Sequence, residues 1–232
     1  MSFEEVMHIN ADAFRRVVPF DPSSDRLLQL DFTDANKDLS EEILADTQRF
    51  SDFISNTLNV AGARYGIGGY NEHRTVYSRS KVFDAITPGE EPRRLHLGTD
   101  IWGHPDTAVV APVDGTVHSF AFNDQFGDYG ATIILAHQLN GFVFYSLYGH
   151  LDLASLASLQ EGQMIKAGDA FAAFGIPAEN GHWPPHLHFQ LILDIGDCHG
   201  DYPGVCKFSE REKWLKNSPD PEWILQMNRF VA

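Results

Sequence analysis

Pro185-His186-Leu187-His188-Phe189 alternates with a period of two, the side-chain period of a β-strand. A strand at this point puts His186 and His188 on the same face of a sheet. Two imidazoles placed that way form half of a zinc site. Upstream, Arg94-Leu95-His96-Leu97-Gly98-Thr99-Asp100 adds a nitrogen and an oxygen ligand, separated by a tight step containing glycine. Three N/O ligands with one open position is the arrangement of a catalytic zinc site, whereas a structural site is closed by four ligands, mostly thiolates. Together the two stretches point to a zinc hydrolase.

Outward from them, the chain has a β texture. It begins at the glycine-rich bend Gly62-Ala63-Arg64-Tyr65-Gly66-Ile67-Gly68-Gly69-Tyr70. Short β-type runs follow at 108–113, 116–122, 131–136, 142–148, 170–174 and 187–193, separated by Gly, Pro, Asn and Asp. Asp114-Gly115 and Asn140-Gly141 are two-residue hairpin signals. No ten-residue helical pattern alternates with the runs, so the expected class is mainly β, with an antiparallel sheet. Gly162, Gly168 and Gly175 read as tight β turns, because a phosphate-cradling loop needs a strand–loop–helix context that is missing.

Residues 1–61 read as a helical N-terminal appendage to a domain at 62–232. Ser2 with Glu5 and Asp38 with Glu41 are capping-box patterns. The second opens a segment running to about Leu58, in which Ile43, Leu44, Phe50, Phe53, Ile54 and Leu58 approximate one buried helix face. Residues 17–22 and 27–32 read as extended connection. The tail, Trp214 to Phe230, reads as a strap docked onto the sheet.

Composition narrows the partners. The 232 residues carry 32 acidic against 17 basic groups, a formal charge of −15. Nucleic acid and anionic membrane surfaces need a basic footprint and are excluded as expected partners. No apolar stretch approaches the ~20 residues that span a bilayer. The N-terminus lacks a basic region followed by an apolar run. The expected location is therefore cytoplasmic, with export by a route not visible in the sequence as the alternative. Cys198 and Cys206 are too few for a disulfide framework and are expected to be reduced. With His199 they fit no standard structural metal site. Among eleven histidines, His8, His73, His104, His118, His137 and His199 lack a companion at ligand spacing and read as surface or hydrogen-bonded residues.

His96-Leu-Gly-Thr-Asp100, Ala111-Pro112-Val113-Asp114-Gly115-Thr116-Val117, Tyr148-Gly149-His150, Gly162-Gln-Met-Ile165-Lys-Ala-Gly168 and Pro185-His186-Leu187-His188-Phe189 occur in that order. The series resembles the LytM/lysostaphin-type zinc metallopeptidases, peptidase family M23, over roughly residues 66–193. With Asn180-Gly181-His182-Trp183-Pro184-Pro185 it is also similar to M23 modules fused to aminotransferases in large bacterial proteins. The resemblance implies a compact antiparallel β-sheet with one zinc ion in a groove on its face. It implies His96, Asp100 and His188 as metal ligands, and His150 and His186 as the two catalytic histidines. Chain departures from an exported wall enzyme leave three readings of function. The first is an endopeptidase on peptidoglycan-like or other small peptides. The others are a cytoplasmic amide hydrolase of a non-wall metabolite, and a non-catalytic module binding peptidoglycan fragments or a partner.

Arg74, Tyr77 and Arg94, which precede the first ligand, are candidates to hold a substrate carboxylate or oxyanion. His182 and Trp183 are candidates for the groove rim. Residues 1–61 could also cover the groove, with Asn10, Asp12, Asn36 or Asp38 reaching the open metal position.

Overall fold

The computed structural model describes residues 1–231. Its strands are β1 (Leu27–Gln29), β2 (Tyr65–Gly68), β3 (Leu95–His96), β4 (Thr99–Trp102), β5 (Ala108–Val110), β6 (Gly115–Asn123), β7 (Gly130–Leu139), β8 (Phe142–Leu151), β9 (Met164–Ile165), β10 (Ala170–Ala173), β11 (His186–Ile192) and β12 (Val205–Cys206). Eight of them form one sheet in the order β1-β2-β4-β11-β8-β7-β6-β9. Every pair in it is antiparallel except β1–β2, so the mainly β, antiparallel expectation holds. β3 pairs with β12, and β5 with β10, in two small ribbons.

The Asn140-Gly141 signal joins β7 to β8, with both residues at positive φ, 49° and 81°, as a type I′ turn requires. Asp114-Gly115 does not make a hairpin. β5 leaves to pair with β10 while β6 pairs with β7 and β9, and the Asp114 carboxylate instead accepts the Ala167 N–H at 2.8 Å.

β11 lies at the centre of the sheet and is buried on both faces. Leu187, Phe189 and Leu191 enter the main core with Ile67, Ile101, Ile133 and Tyr148. His186, His188 and Gln190 take the opposite face. Over the core face lies helix α1 (Phe3–Asn10), whose Phe3 packs on Phe142 and Phe144. The capping box of Ser2 and Glu5 forms as expected. The second helical segment differs from expectation. Ser40, not Asp38, caps a short α2 (Glu41–Ala45), and Asp46 restarts the chain as α3 (Thr47–Ala61) by accepting the Arg49 N–H at 2.9 Å.

α3 packs on the cleft side. Phe50, Ile54 and Leu58 recur at four-residue intervals on its buried face and join a second core with Phe32, Trp102 and Trp183. The tail contributes α4 (Arg211–Asn217) and α5 (Glu222–Leu225), and Ile224, Leu225 and Met227 complete the main core. No helix among the described residues is long and apolar enough to cross a membrane. Both cysteines are free, Cys206 buried and Cys198 partly exposed.

Candidate metal centre and active site

Strand register assembles the centre. His188 lies directly opposite Asp100 of β4, and His186 opposite Trp102. Cross-strand side chains on one face stand about 5 Å apart at Cβ, close enough to share an ion. His96 comes from β3, which Leu97-Gly98 joins to β4. A Cβ at Gly98 would come within 2.5 Å of His188 Cε1, so the glycine is what admits the ring.

The three donor atoms converge. His96 Nε2 is 2.8 Å from His188 Nδ1 and 3.3 Å from Asp100 Oδ1, and the last two are 3.1 Å apart. All three residues are buried, at 1–2% exposure. His96 Nδ1 lies 2.9 Å from the carbonyl of Gly69, which only accepts. The proton of neutral His96 therefore sits on Nδ1, and Nε2 presents a lone pair to the convergence point.

Two imidazole nitrogens and one carboxylate oxygen form the donor set of a catalytic zinc site. Their separations approach the ~3.4 Å expected for ligands ~2.1 Å from one ion at tetrahedral angles. The residues fit the metal. This cluster is the group of three or more His, Cys, Asp or Glu able to hold an ion that the described residues provide.

Arg74 lies beneath Asp100. Its guanidinium, 2% exposed, donates to Asp100 Oδ2 at 2.5 Å and through Nε to Glu72 at 2.6 Å, leaving Oδ1 toward the histidines. Burial by itself would raise the Asp100 carboxyl, but the neighbouring His96 and Arg74 outweigh it and hold the group well below its ordinary value. Gly69, at φ 104°, leaves room for this packing, since a Cβ there would collide with the Arg74 guanidinium.

His150 and His186 stand beside the centre with ring centroids 4.1 Å apart. His150 Nδ1 donates to Asn180 O at 2.8 Å and His186 Nδ1 to Pro184 O at 2.7 Å. Both rings therefore keep Nε2 as the unprotonated nitrogen. Burial is the main reason that both are disfavoured as cations, His186 falling to about 4 and His150 well below its ordinary value. For His96 burial and then Arg74 act the same way, down to about 3. His150 is held at φ 65°, a conformation non-glycine residues rarely adopt, and its N–H donates to Tyr129 O at 2.9 Å. Trp102 stacks on His186 at 3.9 Å and 15°, which fixes the plane of that ring.

These groups line a cleft of about 310 Å³. Tyr77, Val82, Phe83, Tyr129, Asp128 and Asp201 also line it. Residues 94–197 match Peptidase family M23. This segment belongs to that family. Within 129 aligned residues the chain is 32% identical to the L-Ala--D-Glu endopeptidase of Bacillus subtilis, covering 53% of this chain and 37% of that protein. It is 34% identical over 101 residues to an uncharacterized metalloprotease of Haemophilus influenzae, covering 44% of this chain and 19% of that one. The chain thus spans well under half the length of either relative. Among solved structures it is similar to the catalytic domain of lysostaphin from Staphylococcus simulans, at 21% identity and a TM-score of 0.42, covering 76% of this chain and 97% of that one.

The M23 segment contains His96, Asp100, His150, His186 and His188, and the fold brings all five to one cleft. Of the five residues expected from sequence to meet substrate, Arg74, Tyr77 and Trp183 also line it. Arg74 is engaged by Asp100 and Glu72. Arg94 is directed elsewhere, bonded to Asp84 at 2.7 Å and Phe83 O at 3.1 Å. His182 stacks on Phe126 outside the cleft lining. No residue of 1–61 lines the cleft, so Asn10, Asp12, Asn36 and Asp38 do not reach the centre.

Trp102, Tyr129 and Asn180 were not legible as site residues. Trp102 could have been found by extending the alternation from Asp100 by two residues. Asn180 could not, because its role is a knot. Fully buried, it bonds Gly175 O and Trp183 O through Nδ2 and the Trp183 N–H through Oδ1, while its carbonyl orients His150.

Proposed function

We propose that this chain is a zinc-dependent peptidase, an endopeptidase acting on peptidoglycan-like or other small peptides. His96, Asp100 and His188 would hold the ion, and His150 and His186 would move protons. The observation that carries the reading is the convergence of three ligand atoms beside two histidines whose Nε2 atoms are both unprotonated. Zinc bound there supplies Lewis acidity for the scissile carbonyl and a nucleophile at neutral pH.

The chain supplies the proton chemistry. An imidazole that keeps its Nδ1–H bonded to a backbone carbonyl accepts a proton only at Nε2. Once protonated, Nε2–H becomes a donor to the developing oxyanion or the leaving amine. Paired rings 4.1 Å apart cannot both hold that charge, so one accepts while the other remains a neutral partner. The stacked Trp102 keeps His186 in register, and Tyr77 and Trp183, which line the cleft, would contact the substrate chain.

The name of the Bacillus subtilis relative makes a peptide joining an L- to a D-residue the first substrate to try. The test is cleavage of muropeptides by zinc-loaded protein. His150→Ala and His186→Ala should each lower turnover about 10²–10⁴-fold while retaining one equivalent of zinc. Near-native turnover in both variants with zinc bound would refute the assignment.

A further inference from the structure

Gln190 follows His188 by two residues on β11, so the alternation that turns His186 and His188 to the cleft face turns Gln190 there as well. It is fully buried. Its carboxamide cannot be turned over. Nε2 lies 3.2 Å from the carbonyl of Pro203, which can only accept, and 3.0 Å from Ser218 Oγ. That leaves Oε1 facing His188 Nε2 at 3.0 Å.

An amide oxygen also only accepts. The proton of neutral His188 must then sit on Nε2, and the lone pair on Nδ1 faces His96 Nε2 and Asp100 Oδ1. The Tyr129 hydroxyl stands 3.4 Å from the same His188 nitrogen, longer than a good hydrogen bond and able to act in either sense. Gln190 has one sense.

We infer that Gln190 is a positioning residue that selects the metal-binding tautomer of His188, and that Ser218 of the C-terminal strap helps hold it in that sense. The inference rests on His188 being a metal ligand. Ser218 is itself fully buried, its N–H bonded to Trp214 O at 2.8 Å and its carbonyl accepting the Tyr70 hydroxyl at 2.9 Å. Ser218 and Tyr70 lie outside the M23 segment, as do Gly69, Glu72 and Arg74, which bond to His96 and Asp100. The groups that orient all three ligands therefore come in part from the flanks of the matched segment.

A structural role, in which Gln190 only satisfies buried polar groups, predicts something different. Gln190→Met removes both the acceptor and the donor. Gln190→Glu keeps an acceptor toward His188 but loses the donor to Pro203 O. Tautomer selection predicts that Gln190→Met weakens zinc binding 10–100-fold. Gln190→Glu should stay within about threefold of wild type even though its melting temperature falls. A structural role predicts that affinity follows melting temperature in both variants.

The experiment measures zinc affinity by competition with a chromophoric chelator, the melting temperature of each metal-free protein, and the imidazole ¹⁵N shifts of His188 in metal-free wild type. The last readout needs no variant to fold. His188 protonated at Nε2, with zinc lost in Gln190→Met and kept in Gln190→Glu, is the expected result. A wild-type His188 protonated at Nδ1, or affinity tracking melting temperature across both variants, overturns the inference. No readout uses peptide cleavage, so a protein without peptidase activity would refute the proposed function and leave this result standing.

Discussion

His137 shows what burial does to an imidazole away from the cleft. It is 2% exposed on β7, with Nδ1 bonded to Asp114 O at 2.9 Å and Nε2 to Ser146 Oγ at 2.6 Å. Burial pushes its pKa from an ordinary 6.5 down to about 4. The unfolded chain therefore takes up this proton first as pH falls. The stabilisation is complete above pH 6.5 and is lost progressively as pH drops through that value to about 4. The shift corresponds to about 3 kcal/mol. His137→Gln, which cannot titrate, should show a shallower fall in melting temperature between pH 7 and 4 than wild type. Because His96, His150 and His186 titrate in the same direction, the difference between the two curves is the diagnostic; parallel curves would remove the idea. A lone histidine in sequence, His137 was expected to be surface or hydrogen-bonded. Its bonding fits that reading, while its burial depends on which face of β7 meets the core.

Among the elements, α3 does the most for the site without touching it. Phe50 packs edge-on to Phe32 at 6.0 Å and reaches Trp102 and Trp183 at 6.1 and 6.5 Å. Trp102 in turn stacks on His186. Phe50→Ala should cost about 3–5 kcal/mol, as for other buried aromatic truncations, read from denaturant unfolding. A loss below about 1 kcal/mol would show that the aromatic wall stands without α3. The hydrophobic face of α3 was visible at the spacing of Phe50, Ile54 and Leu58, but its start was not. Both Asp38 and Asp46 are competent caps, and which one serves depends on where Leu39, Leu44 and Phe50 meet the second core. The two Gly-containing hairpin signals diverged for a similar reason. Asn140-Gly141 joins strands that pair with each other, whereas Asp114-Gly115 sits where the flanking strands find other partners.

For the whole molecule, the consequence of assembling the centre from distant strands is coupling between metal and fold. His96 and His188 are 92 residues apart, and no comparable site exists in the unfolded chain. Zinc that binds only the folded protein stabilises it by about 4 kcal/mol when free metal is 1,000-fold above its dissociation constant. Addition of zinc should raise the melting temperature of metal-free wild type, and Asp100→Asn, which removes the negative charge of the donor set, should reduce the rise. An unchanged melting temperature across the zinc range would separate the site from the metal. Both faces of the sheet are closed by segments outside the matched M23 residues, α1 and α5 over the core and α3 beside the cleft. We propose that residues 1–61 form an appendage that adds the edge strand β1 to the sheet and, through α1 and α3, helps close its faces.

The sequence by itself determined the donor types, the strand alternation and the mainly β class. These are local properties, carried by residue chemistry and by the two-residue period of a strand. Only the tertiary structure decided which histidine nitrogen faces the centre, that Arg74 braces Asp100, that Arg94 points away and that Gln190 opposes His188. Each depends on a carbonyl, carboxylate or carboxamide delivered from another part of the chain. Hydrogen-bond direction is set by the partner atom, and for a histidine, whose proton can sit on either ring nitrogen, the sequence does not name that partner.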